Sequence, residues 1–278
     1  MTAVIFLVIL GITLGLIIGF ASRFLAVKHD PRIEQTEDML PGVNCGACGF
    51  AGCADFAKAL VAGQASPAEC PVSSEEAVER IANSLGISLG EAEKKVAVVH
   101  CGGDNRLARW IAAYNGVKDC RSANLVNGTK ACEYGCLGFG TCARACPFGA
   151  IEITTYGLAV VHPELCTGCG KCVSVCPRSL IELVPANAPV HNLCNNPEKG
   201  AATKKVCDVS CIGCRKCVKE TEEGQMYMEG QLARVNYDNP PSAELAEVCP
   251  TKSLQPALSV KNTMPAMQYK EEGETIDA

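Results

Sequence analysis

The chain has 278 residues, which allows one to three domains, and 20 of them are cysteine, beside seven phenylalanines and one tryptophan. Since so few aromatic side chains build only modest apolar cores, metal centres or disulfides would have to stabilise the fold. The net charge is −5 at pH 7, and no basic run is interleaved with aromatic residues, which argues against nucleic-acid binding. No P-loop, dinucleotide-binding fingerprint or catalytic triad is present, so we expect no catalytic residues.

An uncharged apolar stretch opens the chain. Ala3 to Ser22 is about as long as the ~20 residues that cross a bilayer as a helix. A cleaved signal peptide is the weaker interpretation, because no positive segment precedes the stretch. The basic residues Arg23, Lys28 and Arg32 follow it, which predicts a single-pass anchor over residues 1–28 with the rest of the chain cytoplasmic. Reducing cytosol disfavours disulfides and favours thiolate metal sites.

A first cysteine motif lies in residues 29–98. Its spacing, with four cysteines and a closing Cys-Pro, predicts a [4Fe–4S] site in a small α-helical domain, and it reads Cys45-x2-Cys48-x4-Cys53-x16-Cys70-Pro71. Cys53 to Ala62 has a helical pattern. Ser73 and Glu76 form a capping-box pattern, and residues 88–91 repeat that signal before a second short helix.

The next stretch, residues 99–131, holds two isolated cysteines. Leu107, Trp110, Ile111 and Tyr114 fit one face of a helix that the dipeptide at 115–116 would stop. We interpret Trp110 as a core side chain.

A double motif dominates residues 99–190, which we assign to a two-cluster ferredoxin-like domain. It reads Cys132-x3-Cys136-x5-Cys142-x3-Cys146-Pro147, then Cys166-x2-Cys169-x2-Cys172-x3-Cys176-Pro177. The second half is a bacterial-type ferredoxin run, in which three thiolates bind one cluster and the fourth binds its neighbour. The predicted ligand sets are Cys146, Cys166, Cys169 and Cys172 for one cluster, and Cys132, Cys136, Cys142 and Cys176 for the other.

The first half departs from the standard run. Phe139 occupies the slot of the middle cysteine, and Cys132 lies close enough to replace it. An exchange of Cys132 for Cys120 or Cys207 stays open. Between and after the two runs, the sequence predicts a hairpin around Gly157 and a further strand at 180–184.

A third cluster unit is predicted for residues 191–255, followed by a polar tail over 256–278. Its ligands would be Cys211, Cys214, Cys217 and Cys249. A hairpin turning at Glu229-Gly230 fits between the last two of these cysteines.

Sixteen cysteines are thus assigned to four clusters, and four remain: Cys101, Cys120, Cys194 and Cys207. Either these four bind a fifth cluster that bridges the repeats, or they are structural or free thiols.

Basic residues are densest in one group, which comprises Lys199, Lys204, Lys205, Arg215, Lys216 and Lys219. Such a group would steer an acidic redox partner. The alternative is that it offsets the negative charge of the protein's own clusters. Of the four histidines, His100 stands directly beside a cysteine, Cys101, and an ordinary polar role is expected for it.

The order of anchor, first motif and ferredoxin-like runs resembles the B-subunit family of Rnf complexes, the ion-translocating ferredoxin:NAD⁺ oxidoreductases. The segments VVHCGGD, GCLGFGTCARACPFGAIEI and CTGCGKCVSVCP are similar to those of the anaerobic, clostridial type. The resemblance implies an α+β chain with one N-terminal transmembrane helix, a small helical [4Fe–4S] domain and ferredoxin-like βαβ pseudo-repeats.

The resemblance also implies a function. The chain would sit in the cell membrane, take electrons from soluble reduced ferredoxin and pass them to the membrane and flavin subunits of a complex that reduces NAD⁺ and translocates Na⁺ or H⁺. Two other classes stay open: a related system that reduces an iron–sulfur transcription regulator, and a membrane scaffold stapled by zinc, which also binds paired Cys-x2-Cys motifs.

Overall fold

The computed structural model describes residues 2–24, 30–87 and 93–257 of the chain. Its first helix, α1 (Thr2–Phe24), contains an uncharged apolar stretch, Val4–Ala21, that is long enough to cross a membrane. None of this stretch is buried against the rest of the described protein. The helix therefore agrees with the predicted anchor in position and length.

A small helical region follows the anchor. It consists of α2 (Pro31–Met39), α3 (Cys53–Val61), a 3-10 helix (Pro67–Glu69) and α4 (Glu75–Leu85). Phe56 and Leu60 of α3 and Ile81 of α4 are fully buried and form its core, together with three of the first four cysteines.

The helix boundaries of this region match the sequence closely. The helix predicted from Cys53 is confirmed, and it ends one residue early. Helix α4 is capped by Ser74, and not by the predicted Ser73, because the Ser74 hydroxyl accepts a hydrogen bond from the Ala77 N–H at 3.3 Å. The second capping-box helix, predicted from residues 88–91, lies outside the described residues.

The rest of the described chain contains two sets of elements, each with four strands and several short helices. The first set spans β1 (Lys95–Val99), α5 (Cys120–Asn124), α6 (Thr141–Ala145), β2 (Ile151–Ile153), β3 (Ala159–Val161), α7 (Lys171–Val175) and β4 (Ile181–Pro185). The second spans β5 (Val190–Asn192), α8 (Gly200–Val206), α9 (Lys216–Lys219), β6 (Met226–Glu229), β7 (Leu232–Val235), a 3-10 helix (Ala243–Val248) and β8 (Leu254–Pro256).

Both sets share one topology. The first strand pairs with the last, as β1 with β4 and β5 with β8, and these outer pairs enclose the hairpins β2–β3 and β6–β7. Both hairpins were predicted, and both are confirmed.

The predicted βαβ pseudo-repeat stays a prediction. In the first set, helices lie between the strands in the order β1, α5, α6, β2, β3, α7 and β4, and all four strand pairs of the described residues are antiparallel. Strands β2 and β3 are joined by a short turn that contains Gly157 at φ 68°.

The two sets of strands meet at a junction around Gly102 and Leu193. The Gly102 N–H donates to the Leu193 carbonyl at 2.8 Å. The buried ring of His100 bridges the same junction, since its Nδ1 lies 2.8 Å from the Asn192 carbonyl and its Nε2 lies 3.1 Å from the Glu182 carboxylate. His100 therefore has structural partners on both sides.

The helix predicted over residues 107–114 does not form, and this corrects the expectation from the sequence. The backbone there makes long-range hydrogen bonds instead, from the Arg109 N–H to the Val206 carbonyl and from the Ile111 N–H to the Thr129 carbonyl, both at 2.9 Å. Trp110 is 53% exposed and is not a core residue. Pairing with distant strand-like segments overrides the helical spacing of the apolar residues.

Candidate iron–sulfur sites

All 20 cysteines lie in the described part of the chain, and all are free thiols. Their placement sorts them into five groups of four. The groups are Cys45, Cys48, Cys53 and Cys70; Cys101, Cys132, Cys194 and Cys207; Cys120, Cys136, Cys142 and Cys176; Cys146, Cys166, Cys169 and Cys172; and Cys211, Cys214, Cys217 and Cys249.

The first group lies in the small helical region. The loop that carries it is closed by Asn44, whose Oδ1 accepts the Cys53 N–H at 2.7 Å. Burial raises the pKa of Cys48, and the neighbouring Cys70 and Cys45 thiols add to this effect. Cys53 packs in the same apolar cluster as Cys48 and Cys70, so the structure brings together the four cysteines that the sequence groups here.

The group containing Cys146, Cys166, Cys169 and Cys172 also matches the predicted set. The loop before α7 approaches β1 so closely that a Cβ on Gly168, at φ 72°, would lie 2.6 Å from the Lys95 carbonyl oxygen. The Ala97 N–H of the same strand points at the Cys166 sulfur at 3.4 Å. Burial, with the charges of nearby thiols, raises the pKa of Cys172 to about 12, so metal binding must displace a proton there.

The group containing Cys136, Cys142 and Cys176 is completed by Cys120, and not by the predicted Cys132. Two hydrogen bonds explain this correction. Thr141, at the start of α6, accepts the Cys120 N–H at 2.9 Å and donates its own hydroxyl proton to Asp119 at 2.7 Å. They fix the start of α5 against the start of α6, which carries Cys142.

The same correction applies to the four cysteines that the sequence leaves unassigned. Cys132 takes the place of Cys120 among them, so that Cys101, Cys132, Cys194 and Cys207 line one cavity. This cavity lies at the junction between the two sets of strands.

The last group lies in the second set of strands and matches the predicted set. Its cavity is lined by Cys211, Cys214, Cys217 and Cys249. Cys214 is the one exposed cysteine of the chain. Burial acts to raise the pKa of Cys249, but hydrogen bonds from Ser253 and neighbouring groups outweigh it and leave that pKa lowered.

The residues present fit a four-iron cluster. Four of the groups surround cavities with about 300 to 370 Å³ of empty space each, counting their mouths. Backbone N–H groups point at thiol sulfurs, as from Leu180 to Cys176 at 3.5 Å. Across residues 2–24, 30–87 and 93–257, no three His, Cys, Asp or Glu side chains are arranged to hold a single metal ion. Four thiols that line one cavity, with N–H donors aimed at sulfur, are the groups that a four-iron cluster requires.

Arg178 is a further residue of these sites, and no sequence signal identifies it beyond its position after Cys176-Pro177. Its half-buried guanidinium donates to the Cys132, Gly135 and Asn127 carbonyls at 2.8 to 2.9 Å and to the Asn124 side chain at 2.9 Å. Burial lowers the pKa of Arg178, although nearby thiols oppose this effect. One side chain thus ties together the loops that carry Cys120, Cys132 and Cys136.

Replacing Arg178 with leucine should lower the free energy of unfolding by roughly 2–4 kcal/mol, because several partly buried acceptors lose their donor. The stability of the Arg178→Lys variant should lie between those of the unchanged protein and the leucine variant, since an ammonium group cannot reproduce the planar hydrogen-bonding geometry of a guanidinium. Thermal unfolding and the rate of iron release to a chelator would measure the effect. Equal melting temperatures and equal release rates for Arg178→Leu and the unchanged protein would contradict this bracing role.

Comparison with known proteins points to the same regions. A family model named FeS, for an Fe-S cluster, matches residues 40–72, and one for a 4Fe-4S dicluster domain matches residues 128–180.

Full-length relatives cover most of the chain. Over 248 residues it is 41% identical to the B subunit of the ion-translocating oxidoreductase complex of Methanosarcina acetivorans, a match that spans 88% of this chain and 94% of the relative. It is 38% identical to the B subunit of the proton-translocating ferredoxin:NAD(+) oxidoreductase complex of Clostridium ljungdahlii, over 90% of each chain. It is 39% identical to the Na(+)-translocating counterpart of Acetobacterium woodii, over 88% of this chain and 74% of the relative.

Proposed function

Because the chain belongs to the B-subunit family of ion-translocating oxidoreductase (Rnf) complexes, we propose that it accepts electrons from reduced ferredoxin and relays them to the membrane and flavin subunits of its complex. The complex would be a ferredoxin:NAD⁺ oxidoreductase coupled to Na⁺ or H⁺ translocation. The observation that carries this proposal is a four-thiol site with one exposed cysteine, set among basic side chains.

We assign four of the cysteine groups as [4Fe–4S] ligands: the groups of Cys45, Cys120, Cys146 and Cys211. The proximity of the thiols within each group supports this assignment. A [4Fe–4S] cluster held by four cysteine thiolates takes up and releases one electron at a time. The chain itself supplies the thiolates, the N–H groups that point at them and an apolar lining that limits access of water. In the Cys146 site, that lining includes Phe148, Ile151 and Leu183.

We place the ferredoxin-binding surface around Cys214. Arg215, Lys216 and Lys219 are exposed beside it, and Lys204 and Lys205 are exposed on α8. An acidic carrier protein would be attracted to this basic face, and contact with it would bring the carrier close to an exposed ligand of the Cys211 site.

We assign the membrane side of the electron relay to the N-terminal part of the chain, where the Cys45 group lies. Helix α1 lies only six residues before α2 of the small helical region, so the Cys45 group cannot be far from the bilayer surface. With Arg23 at the end of α1 and further basic residues after it, the chain would be a single-pass membrane protein whose bulk is cytoplasmic.

Charge reversal tests the proposed docking face. The triple variant Lys204→Glu, Lys205→Glu, Lys219→Glu should slow reduction by ferredoxin at low salt by about tenfold or more, because steering by opposite charge is lost. The rate should also lose most of its dependence on ionic strength. Rapid mixing with reduced ferredoxin measures both, on samples with equal iron content.

Lys94→Glu provides the control, since Lys94 is exposed but lies outside the basic group, just before β1. Its rate should stay close to that of the unchanged protein. If the triple variant behaved like Lys94→Glu, ferredoxin would bind elsewhere and the basic residues would serve to offset internal charge.

A further inference from the structure

In the two sets of strands, three cysteines stand directly before a proline, and the three Cys-Pro turns are built alike. These cysteines are Cys146, Cys176 and Cys249. Each follows a short helix and has nearly the same backbone conformation, with φ between −76° and −81° and ψ between 111° and 113°. The turns can therefore be compared position by position.

The residue four positions after each of these cysteines has the same place in the backbone. Ala150, Leu180 and Ser253 each precede a strand, and their carbonyls accept the N–H of the residue after the partner strand, at 2.6 to 2.8 Å. All three side chains are buried. Two of them are apolar, and the third carries a hydroxyl group.

The Ser253 hydroxyl is directed at a ligand sulfur. Its oxygen lies 3.3 Å from the Cys249 sulfur, which is the one hydrogen-bonding partner that the described chain gives it. The hydroxyl oxygen of Thr251 lies 3.6 Å from the same sulfur. Because a thiolate bound to iron has no proton to give, both hydroxyls must act as donors.

Hydrogen bonds to a ligand sulfur change how readily a cluster accepts an electron. The reduced cluster carries one more negative charge than the oxidised one, so a donor stabilises the reduced form more and raises the reduction potential. In the Cys146 turn, the positions that correspond to Thr251 and Ser253 hold Phe148 and Ala150, whose side chains cannot donate. The two hydroxyls thus distinguish the Cys249 turn from its structural equivalent.

We propose that Ser253, assisted by Thr251, raises the reduction potential of the Cys211 site, an inference that rests on the proposed electron relay. Ser253 acts through the Cys249 sulfur and is not itself a ligand. The same site contains the exposed Cys214, around which we place the ferredoxin-binding surface. The hydroxyls therefore favour the entry of an electron at this site and disfavour its return to ferredoxin.

A redox titration of the anaerobically purified full-length protein, followed by electron paramagnetic resonance, tests this proposal. The signal of the Cys211 site is identified as the one that Cys217→Ala removes. Ser253→Ala should lower the midpoint potential of that signal by about 59 mV, which corresponds to a tenfold weaker uptake of one electron. The other signals and the iron content should not change. Thr251→Val should shift the potential in the same direction by less, because its oxygen is farther from the sulfur.

Ser210→Ala is the matched control. Ser210 is as buried as Ser253 and directly precedes Cys211, but its hydroxyl donates to the Cys207 carbonyl, at 2.9 Å, instead of to a sulfur. Its midpoint potential should equal that of the unchanged protein.

An unchanged potential in Ser253→Ala would overturn the proposal. Loss of the site's iron from this variant would overturn it too, because the hydroxyl would then serve to hold the cluster and not to set its potential. The titration uses no ferredoxin, so its result is independent of the proposed function. A lowered potential would support the role of Ser253 even if ferredoxin failed to reduce the unchanged protein.

Discussion

The Cys169→Ala variant is expected to lose about four irons per chain. The assembled complex that contains this variant should reduce NAD⁺ with electrons from ferredoxin only at the background rate. Cys169 lines its cavity together with Cys146, Cys166 and Cys172, so its removal leaves three ligands for four irons. The side chain is only partly buried, and its truncation alone should cost little stability. The loss of activity would therefore follow from the lost site. Iron analysis and NADH formation by purified complex measure the two effects.

Ser174→Ala is the control for this variant. Ser174 lies on the exposed side of α7, five residues from Cys169, and its hydroxyl bonds only locally, to the Lys171 carbonyl at 2.9 Å. Iron content and activity should both be unchanged. If Cys169→Ala lost its iron but kept the activity, electrons would bypass this site, and its place in the relay would be wrong.

A chain that lacks residues 1–29 is expected to leave the membrane fraction, with its iron content intact. Helix α1 carries no charge over Val4–Ala21, and none of that stretch is buried in the described protein, so its partition into lipid contributes most of the affinity for the membrane. The soluble chain should still be reduced by ferredoxin. Complexes assembled with it should lose NAD⁺ reduction, because the small helical region is no longer held at the bilayer.

Gly15→Ala provides the matched control within α1. A Cβ at Gly15 would meet nothing within 4 Å, so this full-length variant should sediment with membranes as before. If the truncated chain still sedimented with membranes that lack the other subunits, another segment would be the anchor.

Spacing along the chain predicts those ligand sets whose cysteines lie in one run or in two neighbouring runs. The groups of Cys45, Cys146 and Cys211 are of this kind, and the structure brings each of them together. A closing Cys-Pro and the glycines of short loops mark these runs in the sequence.

Spacing could not decide between Cys120 and Cys132. Cys132 is nearer to Cys136 along the chain, but the placement depends on contacts between distant segments: the Thr141 hydroxyl against the start of α5, and Arg178 against the Cys132 loop. Neither contact leaves a periodic pattern. For this reason the exchange between the two cysteines stays open until the structure is known.

The strands show the same division between local and long-range information. Both hairpins follow from local alternation and turn residues. The outer pairs β1–β4 and β5–β8 join segments far apart in sequence, and no local pattern predicts this pairing. The apolar spacing around Trp110 was misleading, because that segment pairs with residues near Lys130 and Cys207 and does not form a helix.

The transfer of electrons from reduced ferredoxin to this chain is the reaction on which the proposed function depends most. The direct test mixes the anaerobically purified, oxidised full-length protein with reduced ferredoxin and follows the bleaching of its visible absorbance. We predict rapid bleaching by more than one electron per chain, slowed by salt. A protein that dithionite bleaches but ferredoxin leaves oxidised would contradict the proposed role.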